Sequence, residues 1–161
     1  MLTILDLDFF KSVNDQHGHM FGDRVLQYLA EKLCLSTGEN DITARIGGDE
    51  FLVFLEDRTD MEQVIDMIFR ALTGACNGFP ISISMGIAQT AVVGKDYNLL
   101  LRCADQALYE GKRRGRKQYC FYDDSMKNIF SSDSDAERNF VRESNEDKKQ
   151  GPFLKGSGLD V

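Results

Sequence analysis

The sequence predicts an α/β (α+β) domain in which a mostly antiparallel central sheet is covered by helices. Three observations carry this. Apolar patterns run along the chain in the order strand, helices, strand, strand, helix, strand, helix, strand. Two of the strand patterns, Ile42 to Ile46 and Phe51 to Leu55, are separated only by a short turn that begins Gly47-Gly48, which makes them a hairpin. The 161 residues are 42% hydrophobic and 28% charged, ordinary for a globular chain long enough to bury a sizeable core.

Each element has its own warrant. Residues 1–8 read as a strand, with Leu2, Ile4, Leu5 and Leu7 apolar. A short helix is expected from Phe9 to Gln16, then a loop over Gly18-His19-Met20-Phe21-Gly22. From about Asp23 to Leu35, Val25, Leu26, Leu29, Ala30 and Leu33 share one helical face. After the hairpin, Met61, Val64, Ile65, Ile68, Phe69 and Leu72 mark a second amphipathic helix. Ile81, Ile83, Met85 and Ile87 alternate with Ser82, Ser84, Gly86 and Ala88, a period of two that reads as one strand. Leu99, Leu100, Cys103, Ala104, Ala107 and Leu108 make a third helical face, and Gln118 to Tyr122 a last strand. From Asp123 to Val161 apolar residues are sparse and aperiodic, and the segment is expected to be disordered apart from a short helix around Ala136 to Glu143. The domain is therefore expected to end near Tyr122. No internal repeat is found.

Composition excludes several classes. No apolar stretch approaches bilayer-spanning length, so no membrane contact is expected. The N-terminus has neither a basic region nor a small-residue cleavage site. The four cysteines, Cys34, Cys76, Cys103 and Cys120, are scattered without a C-x-x-C pair; they read as reduced structural thiols of a cytoplasmic protein rather than a zinc site. A net charge of −7 argues against a nucleic-acid partner. The exception is a basic cluster, Lys112, Arg113, Arg114, Arg116 and Lys117, which is either a solvated helix end or a phosphate clamp.

The chemistry-bearing residues fall in three places. Asp49 and Glu50 follow the glycine pair Gly47-Gly48 at the hairpin tip, where glycine is expected to supply positive φ. If the first strand neighbours this hairpin, Asp6 and Asp49 point at one spot. With the carbonyl of Leu7 they would suit Mg²⁺, which takes oxygen ligands. Alternatively, Asp6 and Asp8 only end the strand and cap the next helix. Asn14 and Asp23 could each be a helix cap, or together could read a guanine edge through complementary donors and acceptors. Lys112 and Arg116, spaced i, i+4, suit a triphosphate. His17 and His19 flank a glycine with no further ligand nearby and read as packing residues.

The segment Asp6-Leu-Asp-Phe-Phe-Lys-Ser-Val-Asn14-Asp-Gln-His-Gly-His-Met-Phe-Gly-Asp23 resembles the D-x-D-x-F-K-x-x-N-D-x-x-G-H-x-x-G-D signature of the GGDEF family, the diguanylate cyclases. Arg45-Ile-Gly-Gly-Asp-Glu-Phe51 is similar to that family's R-x-G-G-D/E-E-F hairpin, and Ala104 to Arg116 to its A-D-x-A-L-Y-x-A-K-x-x-G-R element. The resemblance covers residues 1 to about 122. It implies a nucleotidyl-cyclase-like palm fold, condensation of two GTP into cyclic di-GMP and two pyrophosphates for bacterial second-messenger signalling, and a homodimer with one GTP per protomer. It implies Mg²⁺ (or Mn²⁺) on Asp6, the Leu7 carbonyl and Asp49. Asn14 and Asp23 would read guanine. Main-chain amides of Phe9, Phe10 and Lys11 would meet the phosphates, and Lys112 and Arg116 the β- and γ-phosphates. Glu50 would sit beside the 3′-hydroxyl and the metals, as acid/base help or as a ligand, so that Asp49 and Glu50 would be the catalytic residues.

The resemblance starts at the family's first core strand; its preceding helix and D-x-L-T-G-L-x-N-R turn are not in the sequence, nor are a sensory domain and an E-A-L motif. The family's R-x-x-D inhibitory element falls on Gly38 to Asp41, where Gly38 replaces the arginine and Asp41 remains, so no inhibitory site is expected. The alternative reading is a catalytically impaired GGDEF module that binds GTP or serves as a regulatory interaction domain.

Overall fold

A computed structural model of the chain describes residues 1–56, 59–76 and 78–128. Strand β1 (Leu2–Leu7) is followed by helices α1 (Phe10–His17) and α2 (His19–Leu35). The hairpin is β2 (Ile42–Arg45) and β3 (Glu50–Phe54); then come α3 (Met61–Leu72), β4 (Gly74–Cys76), β5 (Phe79–Ile81) and β6 (Ile83–Ala88). Helix α4 (Thr90–Val93), α5 (Tyr97–Arg113), β7 (Tyr119–Phe121) and a 3₁₀ turn (Asp124–Asn128) complete the described chain. The compact unit is Met1–Met126, with Lys127–Val161 counted apart from it. The disorder and short helix expected of the later tail fall on residues 129–161, outside the described residues.

The main sheet has the order β2-β3-β1-β6-β7, antiparallel except for β6 and β7. β1 lies at its centre, which is why its apolar run is buried at every position. Side chains alternate between the two faces of a strand. Leu5, Leu7, Phe51, Val53, Ile83, Met85 and Ile87 pack with the apolar faces of α2 (Val25, Leu26, Leu29, Leu33) and α3 (Val64, Ile65, Ile68, Leu72) in one core. Each fully buried side chain of this kind contributes about 1.5–3 kcal/mol.

Residues of the opposite parity, among them Asp6, Glu50, Ser84 and Gly86, face α5. That helix approaches so closely that a Cβ on Gly86 would lie 2.1 Å from the Ala104 carbonyl oxygen. This explains the small residues alternating along β6: all six positions are buried, the small ones under a helix rather than in water. Helix α5 starts at an Asp96 cap, whose carboxylate accepts from the Leu99 amide at 2.8 Å, and runs to Arg113, five residues beyond the last apolar position of the expected face.

Two expectations are corrected. The loop over Gly18 to Gly22 is only Gly18, whose φ of 80° ends α1 and begins α2 at once. The single strand from Ile81 is split at Ser82, and Ile81 belongs to a separate two-stranded hairpin, β4–β5, turning on Gly78 at φ 82°.

Candidate active site

The register of β1 and β3 places Asp6 directly opposite Glu50. Because a strand's side chains alternate faces, this pairing sends both carboxylates to the α5 side. Asp49 precedes Glu50 on the turn, and its carbonyl accepts from the Leu7 amide at 3.2 Å, tying the hairpin tip to the end of β1. The last turn of α5 brings Lys112 over the group, with Nζ 2.9 Å from Asp6 Oδ1.

The electrostatics are those of crowded acids. Asp6 is only 8% exposed. Burial pushes its carboxyl up to about 6; the Lys112 ammonium pulls the other way, while Asp49 and Asp8 add to the rise. Glu50 is also raised, first by burial and then by the Asp6 charge. Asp105, on the same face of α5 as Lys112 (seven residues apart), is raised by burial and contributes to the rise at Glu50. Sequence reasoning missed Asp105; its place two turns before Lys112 was the available signal.

The hairpin turn works differently from the expectation. Neither Gly47 nor Gly48 has positive φ. What Gly47 leaves instead is room for a side chain: a Cβ there would lie 2.7 Å from Glu50 Oε2 and would move that carboxylate. The Ile46 and Gly47 amides both reach the Glu50 carbonyl, at 2.9 and 3.3 Å. Arg45 braces the turn from outside, with Nε donating to the Gly47 carbonyl at 3.1 Å and a second guanidinium nitrogen to that of Gly48 at 2.6 Å.

Helix α1 opens at Phe9 in the left-handed conformation, φ 60°, with no side-chain cap. Asp8 therefore does not cap it. The Asp8 carboxylate accepts instead from the Ser84 hydroxyl at 2.7 Å and from the Lys117 amide at 3.1 Å. The first amides of α1, from Phe10 and Lys11 onward, have no carbonyl of their own helix to bind. Phe9 is exposed and Arg116 lies over its ring, the guanidinium carbon 5.0 Å from the centroid. Arg116 and Lys117 are themselves left-handed, at φ 61° and 49°, after Gly115 at φ 119°. A left-handed residue with a side chain costs about 1–2 kcal/mol, so this turn is held by its surroundings.

The basic cluster divides in two. Lys112 and Arg116 turn toward the acids and Phe9. Arg113 and Arg114 both grip Glu110, at 2.8 and 2.7 Å. The Arg113 hydrogen bond, with the Arg114 contacts, pulls Glu110 down to about 2 although it is buried.

Asn14 and Asp23 are joined through Gly22. The Asn14 Oδ1 is buried without a hydrogen-bond partner and sits where a Gly22 Cβ would be, 1.9 Å away. The next residue, Asp23, is exposed at the mouth of a cleft of about 390 Å³ between α2 and the β2–β3 hairpin, lined also by Leu26, Gln27 and Arg45. His17 packs on Phe21 and Phe79, with centroids 5.0 and 4.9 Å apart, consistent with a packing role. Asp41 is engaged in the turn between α2 and β2, accepting from the amides of Gly38 at 2.7 Å and Glu56 at 2.9 Å.

The sheet thus carries acids at the ends of two adjacent strands, β1 and β3, with a lysine from the covering helix over them. The sequence matches the family described as diguanylate cyclase, GGDEF domain, over residues 1–118, and the chain belongs to that family. It is 38% identical over 131 residues to the bifunctional diguanylate cyclase/cyclic di-GMP phosphodiesterase MucR of Pseudomonas aeruginosa, covering 78% of this chain and 19% of the relative. It is 40% identical over 124 residues to diguanylate cyclase DgcP of the same organism, covering 72% and 18%. The chain thus spans about a fifth of the length of these curated relatives. Among solved structures, the GGDEF domain of TpbB (YfiN) from Pseudomonas aeruginosa superimposes with a TM-score of 0.74 at 30% identity, covering 81% of this chain and 80% of that one. The GGDEF domain of DgcB from Caulobacter crescentus, in complex with c-di-GMP, gives 0.64 at 29%, covering 74% and 75%.

Proposed function

We propose that this domain is a diguanylate cyclase that condenses two GTP into cyclic di-GMP and two pyrophosphates, working as a homodimer in the cytoplasm. The observation that carries the reading is the convergence of Asp6, Asp49 and Glu50 at one end of the sheet beneath Lys112.

Among the described residues no group of three or more His, Cys, Asp or Glu side chains could hold a metal ion unaided. The donors nevertheless fit a hard divalent cation: they are oxygens, they repel one another, and Asp6 is buried with an ammonium drawn against it. Asp6, Asp49 and the Leu7 carbonyl would hold Mg²⁺ (or Mn²⁺), with water and nucleotide oxygens completing its shell. When bound, the ion would neutralise charge at the reacting phosphate.

The chain's own residues would do the rest. Asn14 and Asp23 hold the guanine edge; the buried Oδ1 of Asn14 leaves its amide nitrogen as the group free to meet an acceptor on the base. The amides of Phe9, Phe10 and Lys11 receive phosphate oxygens at the α1 start, and Lys112 leaves Asp6 to join Arg116 on the β- and γ-phosphates. Glu50, its carboxyl raised, accepts the proton of the 3′-hydroxyl as that oxygen bonds to the α-phosphorus of the GTP on the partner protomer. The bond from that phosphorus to the bridging oxygen breaks, and pyrophosphate leaves. Symmetric reaction from both protomers closes the ring.

Purified protein incubated with GTP and Mg²⁺ should produce cyclic di-GMP. GTP binding without product would give the alternative of a binding module. Gly22→Ala tests the base-reading pair: its Cβ would displace Asn14 while the helix itself gains a better former. Preference for GTP over ATP should fall about tenfold with the fold retained; unchanged preference would remove Asn14 from the site. Product inhibition through the Gly38 to Asp41 turn is not expected. Gly38 offers no side chain and the Asp41 carboxylate already serves two amides. Calorimetric titration with cyclic di-GMP showing tight binding that is lost in Asp41→Ala would refute this. Finally, the functional domain is proposed to end near Tyr122, to be checked by limited proteolysis.

A further inference from the structure

Asp8 has no part in the mechanism above, yet it is 5% exposed and both of its oxygens are used. Its partners come from far along the chain, Ser84 on β6 and the amide of Lys117 after α5. Its own amide donates to the Ser82 carbonyl at 2.9 Å, fixing it to the start of β6. These contacts close a ring of four residues. Asp8 is bonded to Phe9; Phe9 carries the Arg116 guanidinium over its ring; Arg116 is bonded to Lys117; and Lys117 returns to Asp8 by a hydrogen bond. Three of the four, Phe9, Arg116 and Lys117, are left-handed, and they are the only residues other than glycine with positive φ among the described residues. The Arg116 amide also donates to the Gly111 carbonyl at 3.2 Å, on the α5 side of the turn; the Asp8 carboxylate is the side-chain contact that ties this otherwise unfavourable turn to the place where Arg116 meets the open N-terminus of α1.

We propose that Asp8 is a positioning residue for phosphate recognition: by holding the Lys117 amide it keeps Arg116 poised beside the first amides of α1, ready for the terminal phosphates of the nucleotide. The inference rests on the reading of Arg116 as a phosphate ligand. It separates Asp8 from Asp6, two residues away, because a carboxylate with one oxygen committed to a hydroxyl and the other to an amide is poorly placed to ligate a cation. An asparagine can satisfy the same two partners, with its oxygen accepting from Lys117 and its NH₂ donating to the Ser84 hydroxyl. Geometry is required at this position, whereas the negative charge is not.

The test is calorimetric binding of GTP, with Ca²⁺ in place of Mg²⁺, and of GMP, which lacks the terminal phosphates. Asp8→Ala should weaken GTP about tenfold and leave GMP within about twofold. Asp8→Asn should bind GTP within about threefold of the parent. In an Arg116→Ala background Asp8→Ala should add nothing. Should Asp8→Ala fail to fold, Asp8→Ser carries the same expectation, since its hydroxyl can still reach for Ser84 but is too short for Lys117. Equal loss of GMP, equal damage from Asp8→Asn, or full additivity with Arg116→Ala would each overturn the proposal. If Arg116→Ala weakens GTP and Asp8→Ala does not, only the positioning role falls. If Arg116→Ala itself leaves GTP untouched, the phosphate reading of Arg116 falls with it.

Discussion

Asp6 and Glu110 are both buried acids, 8% and 3% exposed, and both meet basic residues from the end of α5. Their environments drive them in opposite directions. Glu110 receives two guanidinium groups from the end of its own helix, and their hydrogen bonds outweigh burial, so it is held down at about 2. Asp6 has one ammonium and a crowd of carboxylates, and burial pushes it up to about 6. The first arrangement is satisfied and closes the helix end. The second is short of positive charge, and that shortage is what a substrate site for a metal–nucleotide complex requires. Depth of burial does not separate a structural acid from a functional one; the balance of donors and like charges does.

The largest effect that could break this contrast is on turnover. Asp6→Asn or Asp49→Ala should lower cyclase activity about a thousandfold, since a lost metal carboxylate removes several kcal/mol of transition-state stabilisation at 1.36 kcal/mol per tenfold. Glu110→Gln should leave activity within about threefold. Comparable losses in both, measured by cyclic di-GMP formation, would mean that the two acids form one functional unit.

Gly47→Ala probes the functional side without touching a charge. The new Cβ would push the Glu50 carboxylate aside, and displacement of a catalytic group by about 1 Å costs on the order of a hundredfold in kcat. GTP affinity should be nearly unchanged, because Glu50 is not assigned to binding. A variant with parental kcat would show that Glu50 need not sit where it does.

How much of this was readable beforehand follows from where each partner lies. The Asp6, Asp49 and Glu50 group was legible because two strand patterns and one glycine pair put them together. Asp8 was not: its partners lie 76 and 109 residues away, so a helix cap was the only local role in view. Gly47 was marked correctly for the wrong reason, since room for a neighbouring side chain and freedom of φ leave the same letter in a sequence. Gly22 misled in the same way, reading as a loop glycine when it lies inside α2 to admit Asn14. The β4–β5 hairpin was invisible because strands of three residues carry no period, and Glu110 because its i, i+3 and i+4 arginines look like any solvated helix end.

Stability should separate the two acids more modestly. Glu110→Gln loses its hold on Arg113 and Arg114, both largely exposed, so the effect is discounted for solvent screening; the melting midpoint should fall by about 2–6 °C. Asp6→Asn should leave the metal-free midpoint unchanged or raise it, because the substitution removes a charge that burial opposes. A matching fall in both would erase the distinction.

The smallest effect, and the most diagnostic, is the pH dependence of the metal-free fold. Asp6 titrates near 6 in the fold against 3.8 in the unfolded chain, so between those values the folded state binds more protons. Stability from this source is complete below about 4 and is lost as pH rises through 6. Glu50 and Asp105, also raised, act in the same sense. Glu110 acts in the reverse sense: held near 2 against 4.5, its contribution is complete above 4.5 and lost as pH falls toward 2. Urea midpoints should therefore peak between about pH 4 and 5 and decline on both sides. Glu110→Gln should flatten the acid limb alone and Asp6→Asn should reduce the limb from 4 to 6. Saturating Mg²⁺ should flatten that same limb, because a cation that holds Asp6 ionised leaves no proton to be released there. A limb from 4 to 6 that neither Asp6→Asn nor Mg²⁺ reduces would place the proton uptake wholly on other groups and break the link between the raised carboxyl and the metal site.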